Sequence, residues 1–311
     1  MKILITGMAG MIGFHCALKL HRSGHEVVGM DNFNPYYDPQ LKEDRADILA
    51  QSTGVVVEHG DLVDYDWDKN LEGVDAVLHL AAYANPRHSL EFPQHYIDTN
   101  ITGTQRLIEA TQRAGTPKVV YASSSCVMHG QPLPWNEHDR PGHQNNPYGW
   151  SKRANECQFM HSTLDNTIGL RFFTVYGPYG RPDMALFKFA DGIVKDEPIT
   201  LYNYGDMKRD FTYVEDIVQG VQIVLESDIP GHEIFNIGYG EQVQLLDFVD
   251  CIEKEFGRKA TRNLEPKHPA DVPETWSDTT KLKKYGYNPT TPIADGVHEF
   301  CNWYKSYYGV N

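Results

Sequence analysis

Short apolar runs separated by polar, glycine-bearing turns mark the first half of the chain, at 3–6, 26–30, 55–58, 76–80, 118–122 and 168–171. Runs this short and this rich in aliphatic residues fit strands buried on both faces. Between them, apolar positions recur at helical spacing. Phe14, Ala17 and Leu18 follow the first run, and Ile97, Ile101, Thr104 and Ile108 follow the fourth. A further helix is expected over 147–157. This alternation predicts an α/β protein with a doubly wound parallel sheet and helices on both faces. The helices on either side of the fifth strand could also furnish a dimer interface, so a homodimer is expected.

After Arg171 the pattern loosens. Tyr176-Gly177-Pro178-Tyr179-Gly180-Arg181-Pro182 reads as irregular connection, and 266–273 is rich in proline. This predicts a smaller C-terminal α/β substrate lobe beside the sheet. The boundaries expected are 1–173 with 212–240 for the sheet domain, and 174–211 with 241–311 for the lobe. No solenoid-type repeat is present.

Composition narrows the function. With 28 basic against 42 acidic residues, the chain lacks the basic balance of a nucleic-acid binder. No apolar run approaches the ~20 residues of a membrane span. No leader is expected, because 2–6 already reads as a buried strand. The five cysteines, Cys16, Cys126, Cys157, Cys251 and Cys301, contain no CxxC pair. They read as buried thiols of a cytoplasmic protein. The histidines form no HExxH or comparable ligand cluster, so no metal is expected.

Gly7-Met8-Ala9-Gly10-Met11-Ile12-Gly13 stands directly after the first strand and opens an apolar-periodic helix. A pyrophosphate must approach N–H groups at such a helix N-terminus closely, and side chains there would obstruct it. Glycine spacing alone is weak evidence, so its placement matters more. Asp31-Asn32 ends the next strand, and Asp31 lies 18 positions beyond Gly13. That is near the ~20-residue offset at which a carboxylate receives the ribose hydroxyls of a dinucleotide. A carboxylate there would repel a 2′-phosphate, which favours NAD over NADP.

Tyr148 and Lys152 stand at i and i+4, on one face of the expected helix. An isolated pair at this spacing is usually a surface helix. Here it follows a glycine turn in the order this architecture requires, and Ser123, Ser124 and Ser125 close the fifth strand, where ligands collect. A lysine ammonium beside the phenol, reinforced by a positive nicotinamide ring, would lower a tyrosine pKa from ~10 and make Tyr148 a proton acceptor.

The GxxGxxG spacing resembles the extended branch of the short-chain dehydrogenase/reductase superfamily, which implies a Rossmann-like sheet. It also implies that Asp61 and Leu62 border the adenine and that His79-Leu80-Ala81-Ala82 passes beneath the cofactor; Asp61 reads equally as a helix N-cap. A serine at the end of the fifth strand completes the catalytic set. Counting back from Val127 selects Ser124, with Ser125 the runner-up.

Four further segments look like UDP-glucuronate 4-epimerases as a set: Asp31 to Asp38, Arg171 to Pro178, Gly180 to Met184 and Arg209 to Tyr213. The resemblance runs from Lys2 to Tyr304. It implies that Arg209 meets the diphosphate and that Arg181 and Asp271 border the nucleotide. Thr174, Ser124 and Ser125 would surround the sugar C6 group, with Arg87 on a loop facing the substrate. The implied reaction is 4-epimerisation of UDP-glucuronate to UDP-galacturonate through a 4-keto sugar. A UDP-glucose or UDP-N-acetylglucosamine 4-epimerase is the alternative, followed by a UDP-glucuronate decarboxylase and a non-catalytic NAD sensor. Decarboxylases carry a glutamate where this chain has Cys126, and a 4,6-dehydratase needs acidic groups where Ser125 and Cys126 stand. Against the resembling family, Cys126 replaces serine, His268 glutamine and Ala270 glycine. Tyr83 and Asn85 depart from its Gln-Ala-Gly loop. His268 is expected near ligand.

Overall fold

The computed structural model describes residues 1–310. Seven parallel strands form the central sheet: β1 (Lys2–Thr6), β2 (Glu26–Asp31), β3 (Val57–His59), β4 (Ala76–His79), β5 (Lys118–Ser124), β6 (Asn166–Phe172) and β7 (Gly231–Ile237). Their order is β7-β6-β5-β4-β1-β2-β3. Ile3 pairs with Val27 on one side and Ala76 on the other, so β1 lies at the point where the winding reverses. Ligands of such sheets bind outside the carboxyl ends of the strands at this point.

Helices α1 (Met11–Arg22), α2 (Gln40–Thr53), α3 (Thr104–Ala114), α4 (Pro147–Met160), α5 (Ala185–Lys195), α6 (Val214–Glu226), α7 (Leu245–Phe256) and α8 (Ile293–Tyr308) pack around it. One face of the sheet is covered by Phe14, Ala17, Leu20, Ile217, Val221 and Val224. The other is covered by Leu107, Ile108, Ala110 and Phe159. A second core gathers Phe187, Ile193, Leu201, Phe248, Ile252, Phe300 and Tyr304. Around it run three two-stranded ladders, among them Thr174–Tyr176 paired with Phe211–Tyr213. No helix among the described residues is long and apolar enough to cross a membrane.

The structure departs from the sequence pattern in three places. The third strand begins at Val57 rather than Val55, because Gly54 ends α2 in a left-handed turn and Val55 drops into the core before pairing starts at Gly29–Val57. β7 was not anticipated. It is an edge strand whose first four residues are exposed or half-buried, so Gly231-His232-Glu233 hides the signal carried by Phe235 and Ile237. The helical pattern from Ile97 is also two pieces. Tyr96–Gly103 is wound as a π-helix and runs directly into α3. Such windings favour functional sites.

Candidate active site

One cleft of about 790 Å³ opens along the carboxyl ends of the strands and is lined by the glycine turn, Asp31, Asp61, Ser124, Tyr148, Lys152 and the arginines that the sequence placed at a site, but not by His79 or His268. Its cofactor end is made of backbone. Gly7 has φ of 72°, and its nitrogen donates to the Met30 carbonyl at 2.8 Å. A Cβ on Gly7 would lie 2.8 Å from the Ala81 nitrogen, and one on Gly13 would strike the Gly7 carbonyl oxygen. Gly10 precedes α1 without any side-chain cap. The first N–H groups of α1 at Met11, Ile12 and Gly13 therefore face the cleft with no side-chain acceptor, a seat for an anion.

Asp31 is buried at this end. It accepts from the nitrogens of Ala9 (3.2 Å) and Phe33 (2.9 Å). Lys42, missed by sequence reasoning, stands 3.5 Å from Asp31 and also lines the cleft. It lies 11 positions later on α2, a separation that no strand-end motif encodes. Asp61 lines the cleft with Leu62 and accepts from Asn32 Nδ2 at 2.8 Å. It is not a helix N-cap: it accepts from the Val63 nitrogen at 3.1 Å within a turn, and the next helix, Trp67–Asn70, is capped by Asp66.

Leu80, Ala81 and Ala82 form the bed between the two ends. Thr6 Oγ1 accepts from the nitrogens of Leu80 and Ala81, both at 3.2 Å, so its own proton goes to His79 Nδ1 at 2.8 Å. His79 Nε2 then donates to Thr104 Oγ1 at 2.9 Å. Burial and the Lys152 charge push His79 down to about 3, so the imidazole is neutral. It is a fixed strut rather than an acid or base.

The reacting groups converge where β5 meets α4. Asn146 caps α4 through the Gly149 nitrogen at 2.8 Å, and Pro147 starts the helix. Tyr148 and Ser124 both line the cleft, with Ser124 close enough to lower the phenol's pKa, and Ser124 is more buried than Ser125. Ser124 Oγ also accepts from the Cys126 nitrogen at 3.2 Å. Below them, Glu156 of α4 receives Arg171 of β6 through two bonds of 2.8 and 3.1 Å and Ser123 of β5 at 2.7 Å. One buried carboxylate thus joins the three elements that carry the site. Breaking such a pair costs about 3–5 kcal/mol.

The expected lowering of the tyrosine is not present in the free protein. Burial raises the Tyr148 phenol above its ordinary value, and Ser124 and Arg181 offset only part of this. Lys152 is turned to the Ala122 carbonyl at 2.9 Å, and burial brings it down to about 7. Helical spacing puts the two side chains on one face, but desolvation acts on both, and the ammonium is spent on the Ala122 carbonyl.

The sugar end is made of charged side chains. Arg87 grips Asp271 through two bonds of 3.2 and 2.6 Å and lies 3.8 Å over the Tyr202 ring. Arg209 donates to the carbonyls of Lys208 (2.8 Å) and Pro273 (3.0 Å), and burial lowers its pKa. Among the described residues no carboxylate is bonded to it. Arg181 holds Asp183 through bonds of 3.0 and 2.6 Å. Thr174, Ser125 and Cys126 line the wall between these cations and Tyr148. His268 is not in the cleft lining. Its Nδ1 accepts from the Ala270 nitrogen at 3.1 Å, two residues along, which fixes the turn instead. Tyr36, Asn85 and Asp183 were not singled out as site residues, because each contact joins positions 49 or more apart in the chain.

A cleft with a backbone anion seat, a Tyr148–Ser124 pair and an arginine-rich far wall defines a nucleotide-dependent enzyme of the doubly wound class. Residues 3–238 match the NAD dependent epimerase/dehydratase family. The chain is 41% identical to UDP-glucuronate 4-epimerase 1 of Arabidopsis thaliana, covering 100% of this chain and 78% of that protein. It is 40% identical to Protein CapI of Staphylococcus aureus over 99% of both. Among solved structures, UDP-glucuronic acid 4-epimerase from Bacillus cereus in complex with UDP-glucuronic acid and NAD superposes with a TM-score of 0.93 at 34% identity. It covers 99% of this chain and 100% of that one. The chain belongs to the NAD dependent epimerase/dehydratase family.

Proposed function

We propose that this chain catalyses NAD-dependent 4-epimerisation of a UDP-sugar, with UDP-glucuronate and UDP-galacturonate as the interconverting pair. The observation that carries the reading is one continuous cleft with an uncapped helix and close-packed glycines at one end, Tyr148 beside Ser124 in the middle, and Arg209, Arg181 and Arg87 at the other. The 4-epimerases reported above support the choice of sugar.

Gly7, Gly10 and Gly13, with the N–H groups of Met11 and Ile12, hold the cofactor diphosphate, and Asp31, Asn32, Asp61 and Leu62 hold its adenosine. Bound NAD supplies the hydride acceptor for C4 and the positive charge that Tyr148 lacks in the free protein. Tyr148 takes the proton of the 4-hydroxyl and later returns it, while Ser124 holds the reacting oxygen by hydrogen bonding. Lys152 supports the phenolate, and its value near 7 lets it carry or release a proton at working pH. Arg209 anchors the diphosphate, with Arg181, Arg87 and Asp271 beside it, so the nucleotide stays fixed while the 4-keto sugar turns. Thr174 and Ser125 hold the C6 carboxylate out of the alignment that would expel CO2.

The sheet domain of 1–173 with 212–240 supplies the cofactor half of this cleft, and the lobe of 174–211 with 241–311 supplies the sugar half. The protein acts in the cytoplasm as a homodimer. Free thiols at all five cysteines support the compartment. Exposed Ile97 and Met160, on the packed π-helical segment and α4, support the interface.

A second reading, a 4-epimerase of a neutral UDP-hexose, is favoured by one observation. The thiol of Cys126 lines the sugar wall, where a stronger hydroxyl donor would suit a carboxylate. A panel of UDP-glucuronate, UDP-glucose and UDP-N-acetylglucosamine separates the two. The first reading expects the highest kcat/KM on UDP-glucuronate, and a preference for either neutral sugar overturns it.

A further inference from the structure

Asp183 accepts four hydrogen bonds. Arg181 Nε reaches one oxygen at 3.0 Å. The other oxygen takes Arg181 Nη2 at 2.6 Å, Asn85 Nδ2 at 2.8 Å and the Tyr36 hydroxyl at 3.0 Å. A carboxylate has about four acceptor sites. Asp183 is therefore close to saturation and serves as an anchor rather than a substrate contact. Burial alone would raise its pKa, but Arg181, Asn85 and Tyr36 bring it below the usual carboxylate value.

Arg181 is differently placed. Its third bond goes from Nη1 to the Ala84 carbonyl at 3.0 Å. Of its five N–H groups, two therefore have no partner among the described residues, and Arg181 lines the cleft. A half-buried guanidinium with unspent donors suits an anion.

Asn85 links this arm to the reacting phenol. Its Oδ1 accepts from the nitrogens of Arg87 (2.9 Å) and His88 (3.2 Å), capping the helix Pro86–Glu91. Its Nδ2 donates to Asp183 and, at 2.7 Å, to the Tyr36 hydroxyl, which passes its own proton to Asp183. Its carbonyl accepts the Tyr96 hydroxyl at 2.7 Å, and the Tyr96 ring meets the Tyr148 ring edge-on at 6.2 Å. A residue without an amide at position 85 would leave Asp183 one donor short and Arg181 less firmly directed.

We propose that Asn85 is a positioning residue which, through Asp183 and Tyr36, fixes Arg181 against the anionic part of the nucleotide sugar, its diphosphate or its uronate carboxylate. The inference rests on the proposed function for the identity of the ligand.

Two variants isolate the donor from the cap. Asn85→Asp keeps a good N-cap acceptor but turns a second carboxylate toward Asp183. Asn85→Ser keeps the cap and shortens the reach. Calorimetry with UDP-glucuronate, UDP-glucose and NAD reads each affinity, and kinetics read kcat and KM. The expected order of UDP-glucuronate affinity is wild type, Asn85→Ser, then Asn85→Asp, with the last at least about tenfold weaker on loss of a charge-assisted bond. NAD affinity and unfolding temperature stay at wild-type values, and kcat changes less than KM.

An equal loss on UDP-glucose puts Arg181 on the diphosphate, and a loss confined to UDP-glucuronate puts it on the carboxylate. Either result upholds the proposal. Unchanged sugar affinity in Asn85→Asp overturns it, and so does a fall in NAD affinity and stability in step with sugar affinity, the mark of a merely structural residue. A wild-type protein that binds these sugars without interconverting them would overturn the proposed function alone.

Discussion

The two ends of the cleft present hydrogen-bond donors by opposite means. At the cofactor end, the donors are backbone N–H groups fixed by the fold, and the side chains matter chiefly by their absence at Gly7, Gly10 and Gly13. At the sugar end, the donors are long guanidinium side chains held by carboxylates: Arg87 by Asp271 and Arg181 by Asp183. The first design is rigid and tolerates no added atom. The second can exchange partners, which would suit the turning sugar of the proposed reaction. Between them stands Tyr148, the proton acceptor of the proposed reaction.

The largest effect is expected at that middle point. Tyr148→Phe removes the proton acceptor and should lower kcat by roughly a thousandfold or more, within the range of a lost general base. Absorbance of bound NAD and thermal unfolding should match the wild type. Activity within tenfold of normal would reject the assigned base.

The next tests the rigidity of the cofactor end. In Gly13→Ala the new methyl strikes the Gly7 carbonyl oxygen. NAD affinity should fall roughly a hundredfold, at the upper range of single substitutions. Binding of UDP, measured by calorimetry, should be retained, which would show the two ends to be separable. Parallel loss of both would show one coupled unit.

A smaller effect distinguishes the serines. Ser124→Ala should reduce kcat about tenfold by removing one hydrogen bond to the reacting oxygen. Ser125→Ala should act mainly on KM for UDP-glucuronate. The reverse pattern would transfer the catalytic hydroxyl to Ser125.

The smallest effect concerns stability. Burial lowers Lys152 to about 7, whereas an unfolded lysine titrates near ~10.4. Between these values the folded chain binds fewer protons than the unfolded chain, so this group's destabilising contribution is full below pH 7 and fades as pH rises toward 10. Lys152→Met should therefore flatten the rise of unfolding temperature between pH 7 and 10 relative to wild type. An unaltered slope would mean that Lys152 is not desolvated.

The same contrast explains what was legible in the sequence. The cofactor end is local: glycine turn, helix start and strand-end carboxylate lie within 31 residues, and each has a fixed offset from the next. The parallel sheet with its helices followed from the alternation for the same reason, except for β7, whose polar first half conceals an edge strand. The sugar end is assembled from distant segments. Arg87 meets Asp271 across 184 positions and Asn85 meets Asp183 across 98. Family resemblance supplied the arginines, but neither Asn85 nor Tyr36 could be assigned a partner from spacing. That burial raises the Tyr148 phenol in the free protein was not legible, because helical periodicity reports which groups share a face, not how much water they lose.

The central claim is that hydrogen leaves C4 of the sugar and returns to the same carbon with no net oxidation. UDP-glucuronate deuterated at C4, incubated with the protein and NAD in ordinary water and followed by NMR, tests this directly. The account predicts UDP-galacturonate that keeps deuterium at C4. Deuterium lost to water, or a UDP-pentose formed with release of CO2, would contradict it.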